Sequence, residues 1–186
     1  MPEGLARLET APLVDQFGRQ VTYLRLSVTD RCDLRCTYCM AEKMQFLPKR
    51  ELLTIEELDA VASAFIRRGV QKIRITGGEP LVRRGMPELI ERLGSYIGYG
   101  LEELTFTTNG TLLEQYAELL VQHGVKRINV SLDSLKADTF ETITRRGKLD
   151  KVLAGIDAAL EVGLKIKINT VAMKHENLDE IPHMIE

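Results

Sequence analysis

A chain of 186 residues with a net charge of −2 has room for one domain with a sizeable core. Its near-neutral balance, without a basic tail, excludes the electrostatic footprint of a nucleic-acid binder. No apolar run reaches the length of a membrane span, and the N-terminal stretch, with Glu3, Glu9 and Asp15, reads as neither a signal nor a transit peptide. Clustered cysteines without an export signal point to a reducing cytoplasm.

Residues 1–22 read as an irregular N-terminal arm, and residues 23–186 as one domain. The domain opens on YLRLSVT (23–29), a strand that runs into CDLRCTYC (32–39). This segment holds every cysteine in the chain: Cys32, Cys36 and Cys39. An odd count argues against a disulfide framework. Structural zinc wants four closed ligands, and His123, His175 and His183 lie far along the sequence. A four-iron cluster ligated at three corners fits the trio best, with zinc and a distant fourth ligand as the alternative.

Strands and helices then alternate. Thr54 and Glu57 form a capping box ahead of Leu58, Val61, Ala62 and Phe65, and Gly69 ends that helix. KIRIT (72–76) is the second strand and ends in TGGEP (76–80). Pro87 suits a first helical turn, with Leu89, Ile90, Leu93 and Ile97 on one side. LTFTT (104–108) follows, then a second capping box of Thr111 and Glu114, with a stop at Gly124. RINVSL (127–132) precedes a helix capped by Asp150, carrying Val152, Leu153, Ile156 and Leu160 and ended by Gly163. KIKINTV (165–171) is the fifth strand, and Asn177 with Glu180 opens a last helix despite Pro182. Alternating elements predict an α/β fold with a parallel sheet and right-handed crossovers. Five βα units fit an open doubly wound sheet or part of a barrel.

Side-chain alternation separates two faces. Leu24, Leu26, Val28, Ile73, Ile75, Phe106, Ile128, Val130, Leu132, Ile166 and Ile168 form an apolar face for the helices. The other face is polar in all five strands, carrying Arg25, Arg74, Thr105, Thr107, Asn129, Ser131, Asp133, Lys167 and Asn169. A parallel sheet covered on both sides is apolar on both, so this pattern predicts a partial barrel with a wet inner face. Arg25, Arg74 and Lys167 bring positive charge there, which calls for an anionic substrate or for pairing with Asp30 and Asp133. Lys72, Arg127 and Lys165 start their strands and are expected at the bottom rim.

Cys-x3-Cys-x2-Cys with Tyr38 before the last cysteine, followed by GGEP at a strand end, resembles the radical S-adenosylmethionine enzymes. The strings YLRLSVTDRC, KIRITGGEPLVRR, TTNG, INVSLDSL and KINTV are most similar to the branch that cyclises GTP in molybdenum-cofactor biosynthesis. The resemblance implies a [4Fe-4S] cluster on Cys32, Cys36 and Cys39, with S-adenosylmethionine chelating the open iron. It places Tyr38, Gly78 and Ser131 against S-adenosylmethionine, and Arg25, Arg74, Thr107 and Lys167 against GTP. It implies reductive cleavage of the sulfonium, hydrogen abstraction from the ribose and attack on guanine. It also implies an electron donor of unknown identity, and leaves a homodimer open. That branch has a longer C-terminal part with a sixth strand and three further cysteines for a second [4Fe-4S] cluster. With no cysteine after Cys39, the chain is expected to be an N-terminal part with an exposed sheet edge. The alternatives are a radical enzyme acting on a peptide or another small molecule, and a zinc-binding scaffold.

Overall fold

The computed structural model describes residues 11–185, so residues 1–10 of the expected arm lie outside the described residues. In residues 11–22, an antiparallel bridge joins Val14 to Gln20 around a turn at Asp15. Leu13 donates its amide to Arg68 O (3.2 Å), which places this segment against the end of the first helix.

The elements alternate as expected, except that an additional helix, α4, precedes the expected one after β4: β1 (Tyr23–Ser27), α1 (Ile55–Arg67), β2 (Lys72–Thr76), α2 (Met86–Gly94), β3 (Glu103–Thr108), α3 (Leu113–Gln122), β4 (Arg127–Ser131), α4 (Ala137–Thr144), α5 (Leu149–Glu161), β5 (Lys165–Asn169) and α6 (Ile181–Ile185). The strands form one parallel sheet in sequence order, β1-β2-β3-β4-β5. A doubly wound sheet reverses direction at a switch point. Here no reversal occurs, so right-handed crossovers stack all the helices on one face. The architecture is therefore a partial (βα) barrel with its other face open.

On the apolar parity the central strands are buried, while on the polar parity Thr105 and Asn129 are buried too, at 1% and 6% exposed. Ile73, Ile75, Phe106, Ile128 and Val130 are fully buried, and they join Leu58, Ala62, Leu89, Leu93, Ala117, Leu120 and Val152 of the helices in one core. β5 departs from expectation. Ile166 is only partly buried and Ile168 is 39% exposed, because this strand pairs on one side only and little packs over its outer half.

Local signals met mixed outcomes. The capping box at Thr54 forms in both directions, with the Thr54 side chain accepting from Glu57 N and the Glu57 side chain accepting from Thr54 N. The box expected at Thr111 does not form. α3 starts from Leu112 without a side-chain cap, because the Thr111 hydroxyl bonds Asp33 and Asn109 instead. α5 starts after Lys148, which leaves Asp150 in the first turn, where a carboxylate still favours the helix dipole. Asn177 caps nothing. It is fully buried and donates to the carbonyls of Asp133 and Val171, while a short turn at Leu178–Glu180 leads into α6.

Candidate functional site

The cysteine loop leaves the C-terminal end of β1 and crosses the end of β2. Val28 N donates to Thr76 O (3.0 Å), Gly78 N to Thr29 O (2.8 Å) and Glu79 N to Arg31 O (2.8 Å). The two chains meet backbone to backbone here. A Cβ on Gly77 would stand 2.6 Å from Thr29 O, and one on Gly78 would stand 2.3 Å from Arg31 O. Only glycine permits this approach. The cysteines therefore start within one residue of the stitch that joins them to the glycine pair.

A buried polar network extends the stitch to β3. Glu79, 1% exposed, accepts from Leu81 N (2.9 Å), the Thr108 hydroxyl (2.9 Å) and Asn109 N (2.6 Å). Asn109 Nδ2 donates to Asp33 Oδ1 (2.7 Å) and lies 3.7 Å from Cys32 Sγ. Thr111 donates to Asp33 Oδ2 (2.6 Å). Burial pushes the Glu79 carboxyl up to about 7, against the pull of its three donors. Sequence reasoning passed over Asp33, which stands between two cysteines like a spacer. Its signal is a carboxylate adjoining a metal-type motif.

The far side of the loop reaches β4. Tyr38 donates its hydroxyl to Asp133 Oδ2 (2.7 Å), and Asp133 Oδ1 accepts from Val171 N (2.9 Å). Burial, reinforced by Asp133, pushes the Tyr38 phenol far up. Ser131, the last residue of β4, is half-buried two positions before Asp133. Tyr38, Gly78 and Ser131 thus lie on or beside the C-terminal ends of the strands.

The polar face carries the predicted cations. Arg25 pairs in register with Arg74, and Arg74 with Thr105. One row further up, Thr107 pairs with Asn129, and Asn129 with Lys167. Glu103 takes Lys72 (3.0 Å) and Arg127 (2.5 Å) at the bottom rim, as the sequence suggested for strand-starting cations. Arg25, Arg74 and Lys167 form no ion pair among the described residues. Arg74 Nε is buried without a hydrogen-bond partner among the described residues, and its guanidinium lies 5.6 Å from the centre of the Tyr23 ring. The carboxylates proposed to pair with these cations do not: Asp133 holds Tyr38, and Asp30 accepts from Leu47 N (2.6 Å). A cavity of about 660 Å³ opens at the opposite ends of the strands, among Glu103, Arg127 and Lys165, away from this chemistry.

The donor set suits an iron–sulfur cluster. All three thiols are free, Cys32 and Cys36 half-buried and Cys39 exposed. Cys39 N and Met40 N both donate to Cys36 O (3.0 Å each), which folds Cys36 and Cys39 onto one turn. Burial pushes the Cys32 thiol up to about 12 and the Cys36 thiol up to about 11. Among the described residues, no three Cys, His, Asp or Glu side chains converge as the ligands of a single ion would. A cluster instead takes each cysteine at a separate corner.

Comparison with known proteins agrees with this geometry. Two relatives, each a "GTP 3',8-cyclase", come from Rhizobium etli and Erythrobacter litoralis. The first is 62% identical over 174 residues, covering 94% of this chain and 50% of the relative. The second is 61% identical over 179 residues, covering 96% and 54%. The chain thus spans about half the length of the curated relatives it matches. Streptococcus suis SuiB bound to S-adenosylmethionine shares the fold at a TM-score of 0.70 and 21% identity, over 88% of this chain and 35% of that one. Coproporphyrinogen III oxidase (HemN) from Escherichia coli does so at 0.60 and 16%, over 98% and 43%. The Radical SAM superfamily model matches residues 26–186, from β1 through the cysteine loop to α6, and the chain belongs to that superfamily.

Proposed function

We infer that the chain is the radical-generating part of a GTP 3′,8-cyclase, an S-adenosylmethionine-dependent lyase that converts GTP to 3′,8-cyclo-7,8-dihydro-GTP at the first step of molybdenum-cofactor biosynthesis. The observation that carries this reading is the pair of rows on the open sheet face. Among the described residues Arg25, Arg74 and Lys167 form no ion pair and the buried Arg74 Nε has no partner; they sit beside Thr107 below the cysteine loop. A triphosphate supplies the missing acceptors, and guanidinium forks match phosphate oxygens. Identity of about 60% to relatives bearing that name supports the choice of substrate.

In this reading Cys32, Cys36 and Cys39 hold a [4Fe-4S] cluster, and Tyr38, Gly78 and Ser131 hold S-adenosylmethionine. These cofactors, once bound, supply the one-electron chemistry that makes a carbon radical. The chain's own part is positioning. The glycine pair seats the cysteine loop against the tip of β2, the Tyr38–Asp133 bond fixes one wall, and the basic rows anchor the nucleotide. Residues 23–186 act as one partial-barrel domain after the arm of residues 1–22. A one-electron donor and a second cluster complete the enzyme, and the reduced thiols suit the cytoplasm.

The test is anaerobic reconstitution of the full chain with iron, sulfide, S-adenosylmethionine and a reductant, followed by assay for 5′-deoxyadenosine. The reading predicts product that rises when GTP is added. No 5′-deoxyadenosine from a chain that has taken up iron and sulfide would contradict it.

A further inference from the structure

One residue other than glycine takes a positive φ among the described residues. Arg145 stands at φ 60° and ψ −23°, just past the last turn of α4, with its amide donating to Glu141 O (2.7 Å). Helices commonly give that place to Gly or Asn, and a residue with a side chain is strained there. Arg145 is exposed, so no core packing holds it in place. Its conformation aims the guanidinium at the cysteine loop. Nη1 donates to Arg35 O (3.3 Å) and Met40 O (3.1 Å), the carbonyls on either side of the segment that carries Cys36 and Cys39.

The end of α4 grips the same segment through its backbone. Arg35 N donates to Thr144 O (3.0 Å) and Thr37 N to Ile143 O (2.9 Å). Two carbonyls and two amides of the loop are thus tied to three consecutive residues, Ile143, Thr144 and Arg145. The two carbonyls are bound by a single side chain. We propose that Arg145 is a positioning residue that clamps the Cys36–Cys39 turn and fixes the spacing of two thiols before any metal arrives. That the spacing serves a cluster rests on the function proposed above; the clamp itself does not.

A plainer role competes. A cation near a helix C-terminus favours the dipole, and any residue tolerant of positive φ would then serve equally well. R145G separates the two, because it relieves the backbone and removes the guanidinium. Amide hydrogen exchange at Thr37, Cys39 and Met40 of the metal-free full chain reads the clamp directly. The clamp predicts exchange at least about tenfold faster in R145G, with a thermal midpoint close to that of the parent chain. Equal exchange rates in the two chains overturn the proposal. If R145G does not fold, R145Q carries the same comparison, since it keeps a polar chain without the fork.

A second arm reads the consequence for the cluster. After anaerobic reconstitution, R145G should lose iron to a chelator several-fold faster than the parent. Equal loss from a parent chain that holds iron overturns the clamp's role toward the cluster. A parent chain that takes up no iron overturns the cluster reading, while the exchange rates still decide the clamp.

Discussion

Gly78 lies so close to Arg31 that a Cβ on the glycine would stand 2.3 Å from the Arg31 carbonyl oxygen. This contact fixes the cysteine loop against the tip of β2. G78A must push the two backbones apart, since the obstacle is main chain rather than a flexible side chain. Overpacking of this kind costs about 1–3 kcal/mol. We predict that loss in urea denaturation of the metal-free chain, together with weaker S-adenosylmethionine binding by calorimetry on the reconstituted chain. An unchanged denaturation midpoint would mean that the loop is free to move off the glycine pair.

Arg74 sits in the sheet without an acceptor for Nε among the described residues. R74E should change folding stability by no more than about 1 kcal/mol, because it breaks no ion pair. Loss of a charge-assisted contact to phosphate corresponds to about 1.5–3 kcal/mol, so GTP affinity should fall by a factor of about ten to one hundred. Equilibrium binding beside thermal denaturation checks both halves. Equal losses in binding and folding would make Arg74 a structural residue.

Glu79 gives the metal-free chain a pH dependence. Its folded pKa is about 7 against an ordinary 4.5. The fold favours the protonated form, so the contribution is complete below about pH 4.5 and is lost as pH rises through about 7. The loss amounts to about 3 kcal/mol. E79Q should flatten that slope. It should also be less stable at pH 5 by about 1–3 kcal/mol, since the amide nitrogen cannot accept from Asn109 N. Urea titrations at several pH values test this, and an unchanged slope in E79Q would assign the effect to another group.

Tyr38 and Asp133 tie the loop to β4 at 2.7 Å. Y38F keeps the ring and removes the donor to a carboxylate that is 4% exposed. The expected cost is about 1–2 kcal/mol in chemical denaturation. A loss that vanishes in the D133N background would be the signature of direct coupling; independent losses would contradict it.

Much of this was legible because it is local or periodic. The two-residue period of the strands separated the basic rows from the core, and the Thr54 box closed because both partners lie in one turn. The Thr111 box failed for a tertiary reason: Asp33, distant in sequence, claims the same hydroxyl. Ile168 carries the right parity but lacks cover, which depends on neighbours that its own strand cannot specify. α4 went unread because ADTFETIT carries three Thr and one Asp, weak helix formers. With α4 unread, the grip of Arg145 on the cysteine loop could not be foreseen either.

The central claim is that three cysteines hold a multi-iron cluster with one iron left open beside the glycine pair. Iron, sulfide and zinc analysis of the anaerobically reconstituted chain, with electron paramagnetic resonance before and after S-adenosylmethionine, tests it most directly. The account predicts about four irons and four sulfides per chain and a spectrum that shifts on addition of the sulfonium. One zinc per chain without sulfide would contradict it.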